Sequence, residues 1–141
     1  DNVGGIFRNS LAFGVGGVIL GPGCGDPLYR KAIRTSMAAS LRVPFVPVPD
    51  LPEALRTLRS RGFFVVALSS REPAADLRRL AAEAAARRVD LVAGSEGVGL
   101  SPAVLEEADA AARIPMAPGV DSLNVATATG IALHELFRPA A

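Results

Sequence analysis

Short apolar stretches alternate along the chain with segments in which apolar positions recur at helical spacing. The apolar stretches, residues 17–20, 44–48, 63–68 and 90–93, are continuously hydrophobic, and we predict that they form β-strands. Continuous apolar runs are typical of strands buried on both faces of a parallel sheet. The regular alternation of strands and helices therefore predicts an α/β fold, with a mostly parallel sheet flanked by helices.

Local signals predict where four helices lie. Asp50-Leu-Pro-Glu53 has the form of a capping box and begins one helix, and Ser101-Pro102 begins another. Apolar positions within residues 77–84 follow helical spacing. A last helix is predicted to start at Ser122, which is a good N-cap residue, and to end near Phe137.

Composition limits the classes of protein to which the chain can belong. Its 141 residues, half of them hydrophobic, and its formal net charge of +1 fit one domain with a sizeable core. Of its 15 basic residues, all except Lys31 are arginines. This arginine content permits phosphate recognition but does not predict it. The single cysteine, Cys24, excludes multi-cysteine zinc sites and disulfide frameworks. We therefore expect no metal, a reducing cytoplasmic environment, and a small buried Cys24.

No targeting or membrane segment is expected. The longest uncharged run, residues 9–25, is interrupted by six glycines and is shorter than a membrane span of ~20 residues.

Three segments do not fit a simple pattern of strands and helices: residues 2–14, 94–101 and 114–119. The second has the spacing G-x-x-G-x-G, which is neither a Rossmann fingerprint nor a Walker loop. It is therefore either a tight structural turn or a ligand-binding loop. Ligands of open α/β sheets bind at the carboxyl ends of strands, where Leu68, Gly94 and Met116 are predicted to lie around one pocket.

Together these segments resemble one family. Asn2-Val-Gly-Gly-Ile-Phe-Arg8, Leu91-Val-Ala-Gly-Ser-Glu-Gly-Val-Gly-Leu-Ser101 and Ile114-Pro-Met-Ala-Pro-Gly-Val-Asp-Ser-Leu-Asn-Val-Ala126 are similar, in order and spacing, to the three motifs of SpoU (TrmH-like) RNA ribose methyltransferases. The resemblance covers residues 1–141 as one methyltransferase domain. It implies S-adenosylmethionine as methyl donor, a deep trefoil knot at the C-terminal end, and a homodimer. The opening strand of the family, and the N-terminal RNA-binding extension of many relatives, precede the first motif and are not in this sequence.

The resemblance also assigns residues to the methyl donor. Gly94, Ile114 and Leu123 match positions that hold the donor largely through backbone groups. The pocket lining would come from Leu68, Gly97 and Met116. Apolar side chains with a few backbone donors suit a small-molecule cleft.

Arg8 is the strongest candidate for catalysis. Because a guanidinium stays protonated, it is a poor general base. Two parallel hydrogen bonds to the phosphate beside the target ribose are a better role, since they also stabilise developing alkoxide charge. A surface salt bridge is the alternative for Arg8.

Four further residues complete the candidate catalytic set. Glu96 is expected to pin Arg8, to hold the donor, or merely to favour a helix N-terminus. Ser122 and Asn124 are candidates to hydrogen-bond ribose and phosphate, a role compatible with capping the last helix. Asn2 matches the asparagine of the first motif.

Basic and aromatic residues have functional and structural interpretations. Arg30, Lys31 and Arg34 share a predicted helix face, which is either solvated or in contact with RNA phosphates. Packing is the preferred interpretation of His134, the only histidine, over acid–base catalysis. Phe7, Phe13 and Tyr29 offer stacking surfaces, although burial is favoured for the phenylalanines.

The leading hypothesis is an S-adenosylmethionine-dependent enzyme that methylates the ribose 2′-hydroxyl of a structured tRNA or rRNA. The alternative is a non-catalytic RNA-binding or dimerisation module that keeps the knotted fold. A flavodoxin-like nucleotide-binding domain is a third possibility, but it requires phosphate contacts at a first strand–helix turn that this chain lacks. Apolar residues on several faces of the last helix, Leu123, Leu133, Leu136 and Phe137, separately suggest a homodimer.

Overall fold

The computed structural model describes residues 2–71, 73–94, 99–120 and 122–137. Within these ranges the helices are α1 (Asn2–Ala12), α2 (Arg30–Thr35), α3 (Leu51–Ser60), α4 (Leu77–Glu83), α5 (Pro102–Glu106) and α6 (Val125–Leu136), with a 3-10 turn over Ala39–Leu41. The strands are β1 (Val18–Leu20), β2 (Phe45–Pro47), β3 (Phe63–Leu68), β4 (Ala75–Asp76), β5 (Arg88–Val92) and β6 (Ala110–Arg113). The four predicted strands correspond to β1, β2, β3 and β5.

The strands form two parallel sheets. One sheet has the order β4-β6-β3-β5, and the other contains β1 and β2. In the larger sheet, Ala67 is in register with Val92 of β5, and Leu68 is in register with Ala112 of β6. Helices pack on both sides of this sheet, so the predicted α/β class with a parallel sheet flanked by helices is confirmed.

Each face of the larger sheet has its own core. On one face, Val66 of β3 packs with Leu77 and Leu80 of α4 and with Ala132 of α6. On the other face, the apolar side chains come from α3, β3, β5 and α5: Leu55, Val65, Val92 and Val104. Burial of β3 on both faces explains why its sequence is continuously apolar.

The first irregular segment folds as α1 despite its two consecutive glycines. A Cβ atom at Gly4 would collide with the side chain of Thr35 on α2. A Cβ at Gly5 would lie 3.0 Å from the Cβ of Ala126 on α6. Both glycines therefore serve close helix packing, which offsets the roughly 1 kcal/mol that each costs within a helix.

The predicted start of the last helix at Ser122 is wrong. α6 begins at Val125, and Asn124 is its N-cap. The Oδ1 atom of Asn124 accepts hydrogen bonds from the backbone N–H groups of Ala126, at 3.0 Å, and Thr127, at 3.2 Å. Asparagine satisfies two free helix donors here, so Ser122 and Leu123 stay outside the helix.

The prediction that Cys24 is buried is also wrong. Its thiol is exposed, in the connection that follows β1. The surrounding Pro22, Gly23 and Gly25 are also exposed, so no apolar layer covers this turn.

Candidate functional site

Three loops leave the larger sheet side by side at its carboxyl edge. They follow β5, β3 and β6, which are adjacent and parallel. Leu68, Gly94 and Met116 lie at the start of these loops and are half-buried. The backbone N–H of Ser69 donates to the carbonyl of Ala112 at 2.8 Å, which ties the start of the loop after β3 to β6.

Gly94 begins a loop that closes tightly on itself. A Cβ atom there would lie 2.5 Å from the carbonyl carbon of Gly99 and 2.7 Å from the nitrogen of Leu100. Gly99 has a φ of +71°, a left-handed conformation that favours glycine. The two glycines thus let the ends of the loop meet. Glu96 and Gly97, two of the candidate residues, lie outside the described residues.

The other residues assigned to the methyl donor differ in burial. Ile114 is half-buried and packs against the core beside α4 and α6. Leu123 is 36% exposed in the segment that leads into α6. Both follow β6 along the chain, so they lie in the connection that leaves the carboxyl edge of the sheet.

Asn2 and Asn124 are directly bonded, although 122 residues separate them in the sequence. The Nδ2 atom of Asn124 donates to the Oδ1 atom of Asn2 at 3.0 Å. Further along both helices, the Nδ2 atom of Asn9 donates to the carbonyl oxygen of Ala126 at 3.0 Å. The first and third motif segments are therefore joined at the start of α6.

Arg8 lies on the exposed surface of α1, one residue beyond the fully buried Phe7. Within the described residues, no carboxylate pairs with its guanidinium, in contrast to Arg56 and Arg59 of α3, which bind Glu107. The surface salt-bridge alternative for Arg8 therefore has no support in this part of the chain.

Basic residues predominate in the part of the chain that contains Arg8. Five basic side chains and one acid lie between residues 2 and 49, although the whole chain carries a net charge of only +1. Arg30, Lys31 and Arg34 are all exposed on α2, which packs against α1 at Gly4. These exposed side chains have the sign of charge that phosphates require.

The aromatic candidates divide into buried and exposed side chains. Phe7 is fully buried and packs edge-to-face on Phe45, so it serves the core. Tyr29 is 70% exposed and is available for stacking. Phe13 packs edge-to-face against His134 with ring centroids 5.7 Å apart, which agrees with a packing role for His134.

The sequence did not indicate the large cleft between the two sheets, which has a volume of about 1560 Å³. β1 and β5 line it from opposite sides, and Gly94, Gly99 and Leu100 lie at one end. Among the described residues assigned to the methyl donor, Gly94 lines this cleft, whereas Leu68, Ile114, Met116 and Leu123 do not.

Asp90 of β5 is a buried carboxyl group in this cleft. Its Oδ2 atom has no hydrogen-bond partner among the described residues. Burial disfavours the charged form and raises the pKa of Asp90 from 3.8 to about 6.

We expect Asp90 to make the chain less stable as the pH rises from about 4 to about 6. In this interval the carboxyl group has lost its proton in the unfolded chain but keeps it in the native chain. Folding therefore takes up a proton, and the free energy of unfolding falls as the pH rises. The loss is complete above the native pKa and corresponds to about 3 kcal/mol. Urea unfolding of the parent chain and of Asp90→Asn, measured across pH 4–7, checks this. Stability curves that stay parallel for the two proteins would contradict it.

The apolar residues of the last helix do not form the exposed surface that the sequence suggested. Leu133 is buried, and Leu136 and Phe137 pack against the core of the larger sheet. Leu123 and Ile131 remain exposed. This argument for a homodimer is therefore wrong, and a dimer stays a prediction that rests on the resemblance.

Two further observations concern membranes and metals. None of the described helices is long and apolar enough to cross a membrane. In the part of the chain that the structure describes, no three His, Cys, Asp or Glu side chains come together as metal ligands.

Comparisons with known proteins agree on one family. A family model described as the SpoU rRNA Methylase family matches residues 1–134. A Mycobacterium bovis protein, named as an uncharacterized tRNA/rRNA methyltransferase, is 44% identical over 138 residues. That alignment covers 98% of this chain and 48% of the relative, so the chain spans about half the length of the curated relative.

Solved structures give the same result. An S-adenosylmethionine-bound rRNA methyltransferase from Sinorhizobium meliloti superposes with a TM-score of 0.88 at 35% identity, covering 96% of this chain and 50% of that one. A structure described as an RNA 2′-O ribose methyltransferase has a TM-score of 0.77 at 27% identity, covering 96% of this chain and 50% of the other.

Proposed function

Because the chain belongs to the SpoU rRNA methylase family, we propose that it methylates a structured tRNA or rRNA on a ribose 2′-hydroxyl. S-adenosylmethionine is the proposed methyl donor. The hydrogen bond between Asn2 and Asn124 carries this proposal, because it joins the helix of Arg8 to the segment that precedes α6. Two similar structures support the proposal: one is described as bound to S-adenosylmethionine, and the other as an RNA 2′-O ribose methyltransferase.

The residues at the carboxyl edge fit the donor. Leu68, Ile114 and Met116 are apolar and half-buried, as the lining of an adenosine site requires. At Gly94, backbone atoms of Gly99 and Leu100 occupy the space where a side chain would begin. When bound, S-adenosylmethionine supplies a methyl group on a positively charged sulfur. Leu123, with Gly97 from outside the described residues, completes the proposed site.

Arg8 is proposed to clamp the phosphate beside the target ribose. An exposed guanidinium that no carboxylate of the described residues engages can make two parallel hydrogen bonds to phosphate oxygens. The same positive charge stabilises negative charge that develops on the ribose oxygen. A phosphate oxygen or water, rather than Arg8, then accepts the proton.

The remaining candidates have different proposed roles. The side-chain amides of Asn2 and Asn124 hydrogen-bond to each other, and Asn124 also caps the first turn of α6. We therefore propose that both are positioning residues. Ser122 is exposed beside them and is proposed to hydrogen-bond the ribose. Glu96 is proposed to orient Arg8 or to hold the donor.

RNA is proposed to approach across α1 and α2. Arg30, Lys31 and Arg34 then contact phosphates and orient the RNA without reading its sequence. Tyr29 precedes α2 and offers its exposed ring to an unstacked base. A C-terminal trefoil knot, and a homodimer with the pocket near its interface, are part of the same proposal.

We expect the chain to bind about one S-adenosylmethionine or S-adenosylhomocysteine per subunit, because the three loops at the carboxyl edge supply a single set of donor-binding residues. Isothermal titration calorimetry measures the stoichiometry, and a ligand-induced rise in the unfolding temperature provides an independent reading. ATP serves as a control that contains adenosine but lacks the sulfur. The absence of both heat and thermal shift with either sulfur ligand would contradict the proposed function.

A further inference from the structure

Three exposed arginines meet at the amino edge of the larger sheet, where β3 and β5 begin. Arg61 is the C-cap of α3 and leads into β3, whereas Arg87 precedes β5 and Arg88 begins it. Because β3 and β5 are adjacent and parallel, with Phe63 in register with Arg88, the two turns lie side by side. We call Arg61, Arg87 and Arg88 the amino-edge cluster. None of the three belongs to a motif segment.

Aromatic rings hold two of these guanidinium groups in place. The guanidinium carbon of Arg87 lies 4.6 Å from the ring centroid of Phe64, and that of Arg88 lies 4.6 Å from the ring centroid of Phe63. Consecutive residues of a strand face opposite sides of a sheet, so the two guanidinium groups lie on opposite faces of the edge. Stacking orders them before any ligand arrives, which lowers the entropy that binding costs.

The turn between α3 and β3 also positions Arg88. The Nη2 atom of Arg88 donates a hydrogen bond to the carbonyl oxygen of Arg61. Gly62 has a φ of +91°, which favours glycine, and a Cβ atom there would lie 3.3 Å from the same Nη2 atom. Glycine thus leaves room for the guanidinium. Because a guanidinium has five N–H donors, Arg88 keeps donors for a ligand.

The charge of the amino-edge cluster is not neutralised by ion pairs. Within the described residues, no carboxylate pairs with any of its three guanidinium groups. The two acids that precede β6, Glu107 and Asp109, are bound by Arg56 and Arg59 of α3. Like charges held this close repel one another, and a bound anion would offset that repulsion.

The geometry favours an extended polyanion over a single phosphate. Guanidinium groups on opposite faces of the sheet edge cannot both grip one phosphate, but they can contact successive phosphates of a backbone that crosses the edge. The ring contacts further favour RNA over an acidic polypeptide. Unstacked RNA bases stack on guanidinium planes, and Arg87 and Arg88 each have only one plane face on a phenylalanine.

We propose that the amino-edge cluster is a second RNA-binding site, which holds the phosphate backbone and an unstacked base of the RNA that is methylated at the carboxyl edge. The inference rests on the proposed function, which supplies RNA as the substrate. Gly94 follows Arg88 by six residues along β5 and its end, so the two sites lie about 20 Å apart at about 3.3 Å per residue. A structured RNA can span this distance, whereas a single nucleotide cannot.

Binding of unfractionated tRNA and, separately, of ribosomal RNA tests this proposal at salt concentrations from about 50 to about 200 mM. We expect the double variant Arg87→Gln, Arg88→Gln to lower RNA affinity at least ~10-fold at the lowest salt. The slope of log affinity against log salt should fall by about 1.8, because each lost phosphate contact removes about 0.9. Arg87→Gln alone should lower the slope by about 0.9, and it decides the matter if the double variant does not fold.

Two control variants separate a local site from net charge and from stability. Arg78→Gln, Arg79→Gln removes the same charge from two adjacent exposed arginines of α4, and it should leave the slope unchanged. Arg87→Lys, Arg88→Lys keeps the charge, so the slope should stay near that of the parent. Its affinity should fall several-fold, because an ammonium has no plane on which a base can stack. A merely structural role of Arg87 and Arg88 would not move the salt slope.

A folded Gln variant that keeps the affinity and salt slope of the parent would overturn the proposal. Equal losses in the Arg78 and Arg79 variant would also overturn it, since net charge would then explain the effect. Polyglutamate that binds as tightly as RNA, with the same dependence on Arg87 and Arg88, would assign the edge to an acidic protein instead. Donor binding and methyl transfer by the parent test the proposed function separately, so an RNA-binding parent without methyl transfer would leave this site standing.

Discussion

Replacing Arg8 with alanine should lower methyl transfer to RNA by ~100-fold or more, the scale of losing one preorganised electrostatic contact. Affinity for S-adenosylmethionine should stay within a few-fold of the parent chain, because the proposed donor residues lie at the carboxyl edge rather than on α1. Arg8→Lys should restore little activity, since an ammonium lacks the planar two-point geometry. Methyl incorporation into RNA from a strain that lacks the gene is measured beside donor affinity.

Arg79→Ala is the matched control for this experiment. Arg79 is also an exposed arginine on a helix, in α4, and no ion pair engages it within the described residues. Its loss should change neither turnover nor stability. Both variants should keep the fold, since each removes an exposed side chain.

The outcomes for Arg8 separate three roles. Near-normal turnover in Arg8→Ala would exclude it from catalysis. Lost donor binding would move Arg8 into the cofactor site. A parent chain that binds both RNA and S-adenosylmethionine without transferring a methyl group would favour the non-catalytic module.

Sequence patterns predicted those elements whose stability is local or that are buried on both faces. The strand β3 is apolar throughout because it packs on both sides, and α3 carries its own capping residue in Asp50. Two short strands, β4 and β6, were missed. β6 is Ala110–Arg113, and alanine favours helix and does not distinguish a strand from a coil.

The sequence could not predict features that depend on distant partners. The glycines of α1 disfavour a helix unless α2 and α6 lie close beside them, and no local pattern reports that proximity. Ser122 and Asn124 are both good N-cap residues, and in the structure Asn124 caps α6 while its side chain also bonds to Asn2, a distant partner that the sequence does not reveal. The cleft is likewise invisible in the sequence, because two separate strand edges form it.

The candidate site was predicted mainly through its motifs. Asn2 and Asn124 belong to separate sequence motifs, and the structure brings them into contact. The alignment of Leu68, Gly94 and Met116 at one edge follows from the parallel order of their strands. Asp90 was missed as a candidate because its unusual environment comes from burial, which a single acid within an apolar strand does not reveal.

Gly94→Ala should abolish measurable S-adenosylmethionine binding, although it adds only one methyl group. The new Cβ would lie 2.5 Å from the carbonyl carbon of Gly99 and 2.8 Å from its oxygen. These are backbone atoms, so the loop itself must shift, and the backbone groups proposed to hold the donor shift with it. Donor affinity measured by calorimetry gives the result directly.

Gly16→Ala is the control for the Gly94 variant. A Cβ atom at Gly16 would meet no heavy atom of the described residues within 4 Å, and Gly16 has no left-handed φ, so the same change is expected to leave donor affinity unaltered. Unfolding midpoints of both variants distinguish a displaced loop from a lost fold, because the loop at Gly94 lies at the edge of the sheet rather than in either core. Donor affinity within a few-fold of the parent in a folded Gly94→Ala would contradict the assignment of this loop to S-adenosylmethionine, and would direct the search for the donor site to the other two loops.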